Sequence, residues 1–177
     1  PGAALALVAH GDRREALLFC RARDAEREIW DGYRHGPEVA AAAFGFDGAH
    51  PIDELDALMP AKLANAPALY CALGSSADLD VRVQRWMSQV RAKSRSGSRT
   101  PAAIVDLLPI VDEMRLIKEP AELDSMRRAA AISVSAHVRL MQTCRVGMRE
   151  YELEAELLHE FRRHGAAAPA YTLIVAT

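Results

Sequence analysis

The residue types nearest to a catalytic pattern lie late in the chain, where His159, Glu160 and His164 spell H-E-x-x-x-H. Helical zinc sites place two His four residues apart so that both imidazoles share a face. Here the spacing is five. Five residues turn a helix by about 500°, leaving the two rings roughly 140° apart. The segment therefore reads as ordinary polar residues near a helix C-terminus, where cationic imidazole is favoured by the helix dipole. A second possibility is the acidic group Asp106, Asp112 and Glu113, expected on one extended segment. A two-metal hydrolase needs several carboxylates and a His converging from different strands onto ions about 3.5–4 Å apart. Three acids on one run cannot do this, so no catalytic or metal-ligating residue is assigned to the chain. There is no glycine-rich phosphate loop, no G-x-S-x-G and no Cys–His nucleophile pattern.

Cys20, Cys71 and Cys144 are odd in number, widely spaced and set in apolar patterns, which predicts buried, reduced thiols. Arg91, Lys93, Arg95 and Arg99 form a basic cluster without interleaved aromatics, as on a solvated surface. A net charge of −2 over 177 residues gives no general attraction to nucleic acid or an anionic membrane. Apolar runs fall well short of the ~20 residues that cross a bilayer. The expected partners therefore include neither nucleic acid nor membrane, and the expected location is the cytoplasm.

The elements that would position these residues alternate. Ala3–Ala9 and Glu15–Cys20 flank a polar, glycine-containing turn and predict a β-hairpin. The segment EIWDGYRHG (28–36) reads as a loop. Helices are expected over Pro37–Phe44, Pro51–Lys62 and Asp78–Lys93, the last with Leu79, Val83, Trp86 and Val90 inward. Strands are expected at Phe46–His50 and Ala68–Ala72, and Ser94–Thr100 as a flexible basic loop. The mixture implies an α/β fold. An extended run over Ile110–Lys118 then feeds a helix opening at Pro120, whose missing N–H costs nothing at a first helical position. Leu123, Met126, Ala130, Val134, His137, Met141 and Cys144 recur at spacings of three and four, predicting one buried face of a helix over Pro120–Cys144. Gly147 makes the turn. A second helix over Arg149–His164, with Leu153, Leu157 and Phe161 on one side, stops at Gly165. The pair suits an αα-hairpin on one side of a sheet, and the apolar run Tyr171–Ala176 reads as a strand. The start at Pro1 without Met and the end inside an apolar run lead us to expect a fragment.

The order EMRLIK-x-P-x-E, MRRA, C-R-x-G-M-x-E-Y and H-E-F-x-R-H-G, from Glu113 to Gly165, resembles the opening of the catalytic domain of bacterial Xaa-Pro aminopeptidases (aminopeptidase P). These are pita-bread metallopeptidases. The EIWDG and HEFRRHG segments favour this family over prolidase and creatinase. The resemblance implies an N-terminal three-layer mixed-sheet α/β domain over residues 1–118. The first helices of a pita-bread α+β domain would follow over residues 119–177, ahead of the family's metal ligands. It also implies an exopeptidase releasing a residue that precedes proline, with two divalent ions, manganese, in the complete enzyme and none held by this chain. Its partners would be Xaa-Pro peptides and further copies of itself, as a dimer or tetramer. By the same resemblance Trp30 would wall a neighbouring subunit's substrate pocket, and Arg115 would lie near that domain interface. The bland alternatives are a Trp30 packed beside Tyr33 on its own domain and an Arg115 paired with Asp112, Glu113 or an interdomain carboxylate. The other function class is a non-catalytic protein- or peptide-binding module of pita-bread type.

Overall fold

The computed structural model describes residues 2–176. It divides into two compact units, Pro1–Asp112 and Glu113–Thr177. The first is a mixed α/β layer structure. Strands β1 (Ala3–His10) and β2 (Arg13–Cys20) pair antiparallel, with His10 opposite Arg13, so the turn is only Gly11 and Asp12. Gly11 holds φ +58°, the left-handed conformation that a two-residue hairpin turn demands. The short helix α1 (Ala25–Asp31) and then α2 (Gly36–Phe44) lead to β3 (Gly48–Pro51), which joins β2 in parallel. A single 3-10 turn, Ile52–Glu54, runs into α3 (Leu55–Leu63). Strand β4 (Ala68–Cys71), helix α4 (Ala77–Ala92) and strand β5 (Ala103–Asp106) follow, β4 and β5 pairing in parallel.

The core of this unit joins Leu17 and Phe19 of β2 to Leu55, Met59 and Leu63 of α3 and to Val83, Trp86, Met87 and Val90 of α4. Leu79 packs against it from the first turn of α4, so the inward face expected for that helix is present. Ser76 starts α4 by accepting the Leu79 N–H. The Trp86 indole N–H donates to Asp56 Oδ1 at 2.8 Å, satisfying the polar edge of a ring that is otherwise buried.

Helix α5 (Leu108–Leu116) corrects the extended run expected over Ile110–Lys118. Ile110, Val111 and Ile117 suggest a strand, but Asp106 Oδ1 accepts the Leu108 N–H at 3.0 Å and turns the chain as β5 ends. Pro109 then sits in the first turn, where proline is tolerated. The second unit contains the αα-hairpin of α6 (Pro120–Thr143) and α7 (Glu150–Arg163). Pro120 opens α6 as expected, and the Glu119 N–H donates back to Glu122 Oε2 at 2.8 Å, half of a capping box.

The buried face expected on α6 is a correction. Leu123, Met126, Val134 and Met141 are all exposed. The helix instead turns Ser135, Ala136 and Arg139 toward α7, and Val134 and Ala136 point about 200° apart. Hydrophobic spacing identified the helix but not which stripe α7 would cover. On α7, Leu157 is buried and Leu153 and Phe161 are half-buried. Residues Tyr171–Ala176 form no strand among the described residues. A strand exists only when a partner accepts its ladder of hydrogen bonds, and among the described residues none pairs with this run.

Candidate functional site

The segment read as a loop at 28–36 is in part helical, because α1 already covers Glu28–Asp31. Its start signal lies just before the motif: Asp24 Oδ1 accepts the Arg27 N–H at 3.1 Å. Gly32, at φ +84°, ends the helix and donates its N–H to the Glu28 carbonyl at 3.1 Å. No residue of α1 is buried. Trp30 is 86% exposed, and Ile29 and Tyr33 beside it are also open. The alternative of Trp30 packed beside Tyr33 on its own domain is not what this unit adopts.

Beneath this apolar knob is a wired base. Glu28 Oε1 accepts the Arg23 Nε–H at 3.0 Å and the Arg34 backbone N–H at 3.3 Å, while Oε2 accepts from Arg23 Nη2 at 3.2 Å. The hydrogen bond and charge of Arg23, with Arg34, hold the Glu28 carboxyl below the usual carboxylate range against partial burial. The Arg23 guanidinium lies 5.4 Å from the Tyr33 ring centre. Tyr33 meets His35 edge-on at 5.1 Å, and His35 meets Phe44 edge-on at 5.0 Å. Arg34 Nη2 donates to Asp31 Oδ2 at 2.6 Å across the end of α1.

Arg115 stands exposed in the last turn of α5, in the second unit, with no hydrogen bond or ion pair among the described residues. Asp112 and Glu113 share its helix and do not pair with it.

The H-E-x-x-x-H segment lies on α7, and its ordinary polar reading needs one correction. His159 is exposed, but Glu160 is only 5% exposed and forms the centre of the hairpin's polar seam. The Ser135 hydroxyl donates to Glu160 Oε1 at 2.7 Å, and His164 Nδ1 lies 3.4 Å from the same oxygen. Arg163 and Arg139 approach Oε2 at 3.8 and 4.0 Å, and Arg139 Nε donates to Glu156 Oε2 at 2.7 Å. Glu160 Oε2 itself receives no hydrogen bond. The Ser135 hydrogen bond leads in holding the Glu160 carboxyl below its ordinary range; burial opposes it, and His164, Arg163 and Arg139 assist. Sequence reasoning missed this residue because Ser135 and Arg139, which face it across the hairpin, lie 25 and 21 positions earlier on another helix. The only sequence cue was an acid where the apolar spacing of α7 expects the core.

Thiol and metal chemistry find little footing. The three cysteines are free. Burial raises the pKa of Cys71 and of Cys20, with nearby carboxylates adding to it, so neither is poised as a thiolate. Cys144 is exposed, which corrects the expectation of three buried thiols; it lies one residue past α6. Among the described residues no group of three or more His, Cys, Asp or Glu is placed to hold a metal ion. Asp106 ends β5 while Asp112 and Glu113 ride on α5, so these acids do not share the extended segment expected of them.

Comparison with known proteins gives these features a context. The model of the aminopeptidase P N-terminal domain matches residues 1–70, and that of metallopeptidase family M24 matches residues 124–177. The Xaa-Pro aminopeptidase of Escherichia coli is 40% identical over the whole chain. Over both matched segments the chain resembles enzymes of the aminopeptidase P family. Human Xaa-Pro aminopeptidase 3 is 31% identical over 92% of the chain and is covered over 31% of its own length. The solved structure of Pseudomonas aeruginosa aminopeptidase PepP superposes with a TM-score of 0.89 at 43% identity, covering 97% of this chain and 39% of that one. The chain thus spans about two fifths of the length of the bacterial relatives it matches. It carries the mixed α/β architecture of the family's N-terminal domain followed by the start of its metallopeptidase domain.

The family implies divalent metal ions in the full enzyme. Among the described residues none fits them: Asp106 on β5 is apart from Asp112 and Glu113 on α5, and Glu160, the most enclosed acid, is taken up by Ser135 and flanked by cations.

Proposed function

We propose that this chain is part of a cytoplasmic, metal-dependent exopeptidase that releases an N-terminal residue preceding proline. In that enzyme it supplies subunit contacts and substrate-pocket walls while the metal-binding chemistry is done by residues outside it. The observation that carries the reading is the 40% identity to a Xaa-Pro aminopeptidase over the full chain. The exposed Trp30 on its braced base supports the part about pocket walls. Large apolar groups held open on a surface mark contact sites, and Trp is prominent among residues that carry binding energy. In this reading Trp30 closes the pocket of a neighbouring copy in a dimer or tetramer. Arg115, exposed and free of an internal partner among the described residues, supplies a cation near the same interface. The preferred ions are manganese, and three free thiols suit a reducing compartment.

The test compares this 177-residue chain with the full-length gene product, each supplied with manganese and an alanyl-prolyl tripeptide. Release of alanine by the longer protein alone, lost on chelation, is expected. Turnover by the 177-residue chain would overturn its non-catalytic role. A longer protein that spares Xaa-Pro bonds would overturn the activity.

A further inference from the structure

Glu28 ties together the chain entering and leaving the Trp30 knob. Arg23 lies before α1 and Arg34 after it, and both donate to the one carboxylate. The two limbs close at a neck: a Cβ on Gly36 would stand 3.3 Å from both the backbone nitrogen and the Cβ of Arg23. Phe44 of α2 braces the outgoing limb through His35 and Tyr33. Above this neck nothing in α1 is buried, so the hydrophobic effect does not set the direction in which Trp30 points. Polar bonds at the base are what remain to fix it. Trp30 itself is two residues from Glu28, and the Glu28 side chain is 13% exposed while the indole is open.

We infer that Glu28 is a positioning residue, which orients the exposed Trp30 indole by clamping Arg23 to the Arg34 backbone. The inference rests on the pocket-wall reading of Trp30 above. It assigns Glu28 no contact with substrate. Its effect arises because an aromatic wall displaced by an ångström or so can cost catalysis as much as about a hundredfold.

The test is a double-mutant cycle in the full-length enzyme, reading kcat/KM on an alanyl-prolyl tripeptide, with hydrogen exchange over residues 24–36. Glu28→Ala should lower kcat/KM by about tenfold or more and speed exchange in that segment alone. Glu28→Gln, which keeps a carbonyl acceptor, should recover part of the loss. Trp30→Ala should lower kcat/KM at least as far, and adding Glu28→Ala to it should cost nothing more, since the clamp acts through the indole. If Glu28→Ala retains full turnover while Trp30→Ala does not, or if the two losses multiply, the positioning role is wrong and the pocket-wall reading survives. If Trp30→Ala is itself silent, the pocket-wall reading falls and the positioning role falls with it.

Discussion

The two tryptophans of the chain occupy opposite environments, and their replacement by alanine should separate fold from function. Trp86 is 4% exposed in the packed core and donates to Asp56 at 2.8 Å; Trp30 is 86% exposed. Truncating a buried Trp typically costs about 3–5 kcal/mol through lost transfer energy and the cavity left behind. The hydrogen bond to a carboxylate adds toward the upper end, softened because Asp56 keeps Arg82 at 3.4 Å and can recover water. A loss of about 4–5 kcal/mol is a large part of the ~5–15 kcal/mol that holds a domain together. For a unit of this size, at about 4 °C per kcal/mol, the melting temperature should fall by roughly 15–20 °C. Trp86→Phe keeps most of the apolar volume and loses the donor, so about 1.5–3 kcal/mol is expected. Trp30→Ala should change stability by less than about 0.5 kcal/mol. Thermal unfolding by circular dichroism reads all three variants, with tryptophan fluorescence reporting the residue that remains. A Trp86→Ala melt within a few degrees of the parent, or a Trp30→Ala melt depressed as far as that of Trp86→Ala, would refute this account of the core.

Three further outcomes follow from the same structure. Gly36→Ala should destabilise the first unit by about 1–3 kcal/mol in denaturant titrations, since φ +65° is strained for alanine and the Arg23 backbone nitrogen stands 3.3 Å from the new Cβ. An unchanged midpoint would mean the neck is loose. Glu160 has a lowered pKa in the folded state, so its stabilising effect is complete above the unfolded value of about 4.3 and is lost as pH falls through the folded pKa. Helicity of the α6–α7 hairpin should therefore fade on acidification in that range, and Glu160→Gln should flatten this dependence; an identical acid profile would refute it. Met126→Ala and Met141→Ala, at exposed positions, should each shift the stability of this 177-residue chain by less than about 1 kcal/mol, measured by the same melts.

By itself the sequence determined what is local. The turn at Gly11 and Asp12 needs only a glycine able to take positive φ between two strand-forming runs. The start of α6 needs only Glu119, Pro120 and Glu122. The inward stripe of α4 was legible because a single 3.6-residue pattern carried Val83, Trp86 and Val90 to one side, and one core was there to receive them. The family motifs were likewise read directly off residue order.

Tertiary structure decided what depends on distant partners. The periodicity of α6 offered an apolar stripe, yet α7 covered the one bearing Ala136, because Ser135 and Arg139 there find Glu160 and Glu156 across the hairpin. Ile110 and Val111 suit a strand, but the Asp106 side chain captured the Leu108 N–H and set a helix going. Tyr171–Ala176 has strand composition but pairs with no strand among the described residues. Glu28 looks like any surface acid until folding brings Arg23 and the Arg34 backbone to its two oxygens, and Glu160 becomes an enclosed carboxylate only once a second helix lies on it. Backbone propensity acts over a few residues and can be read in one dimension. Burial, pairing and charge neighbours are properties of contacts, and contacts exist only after the chain has folded.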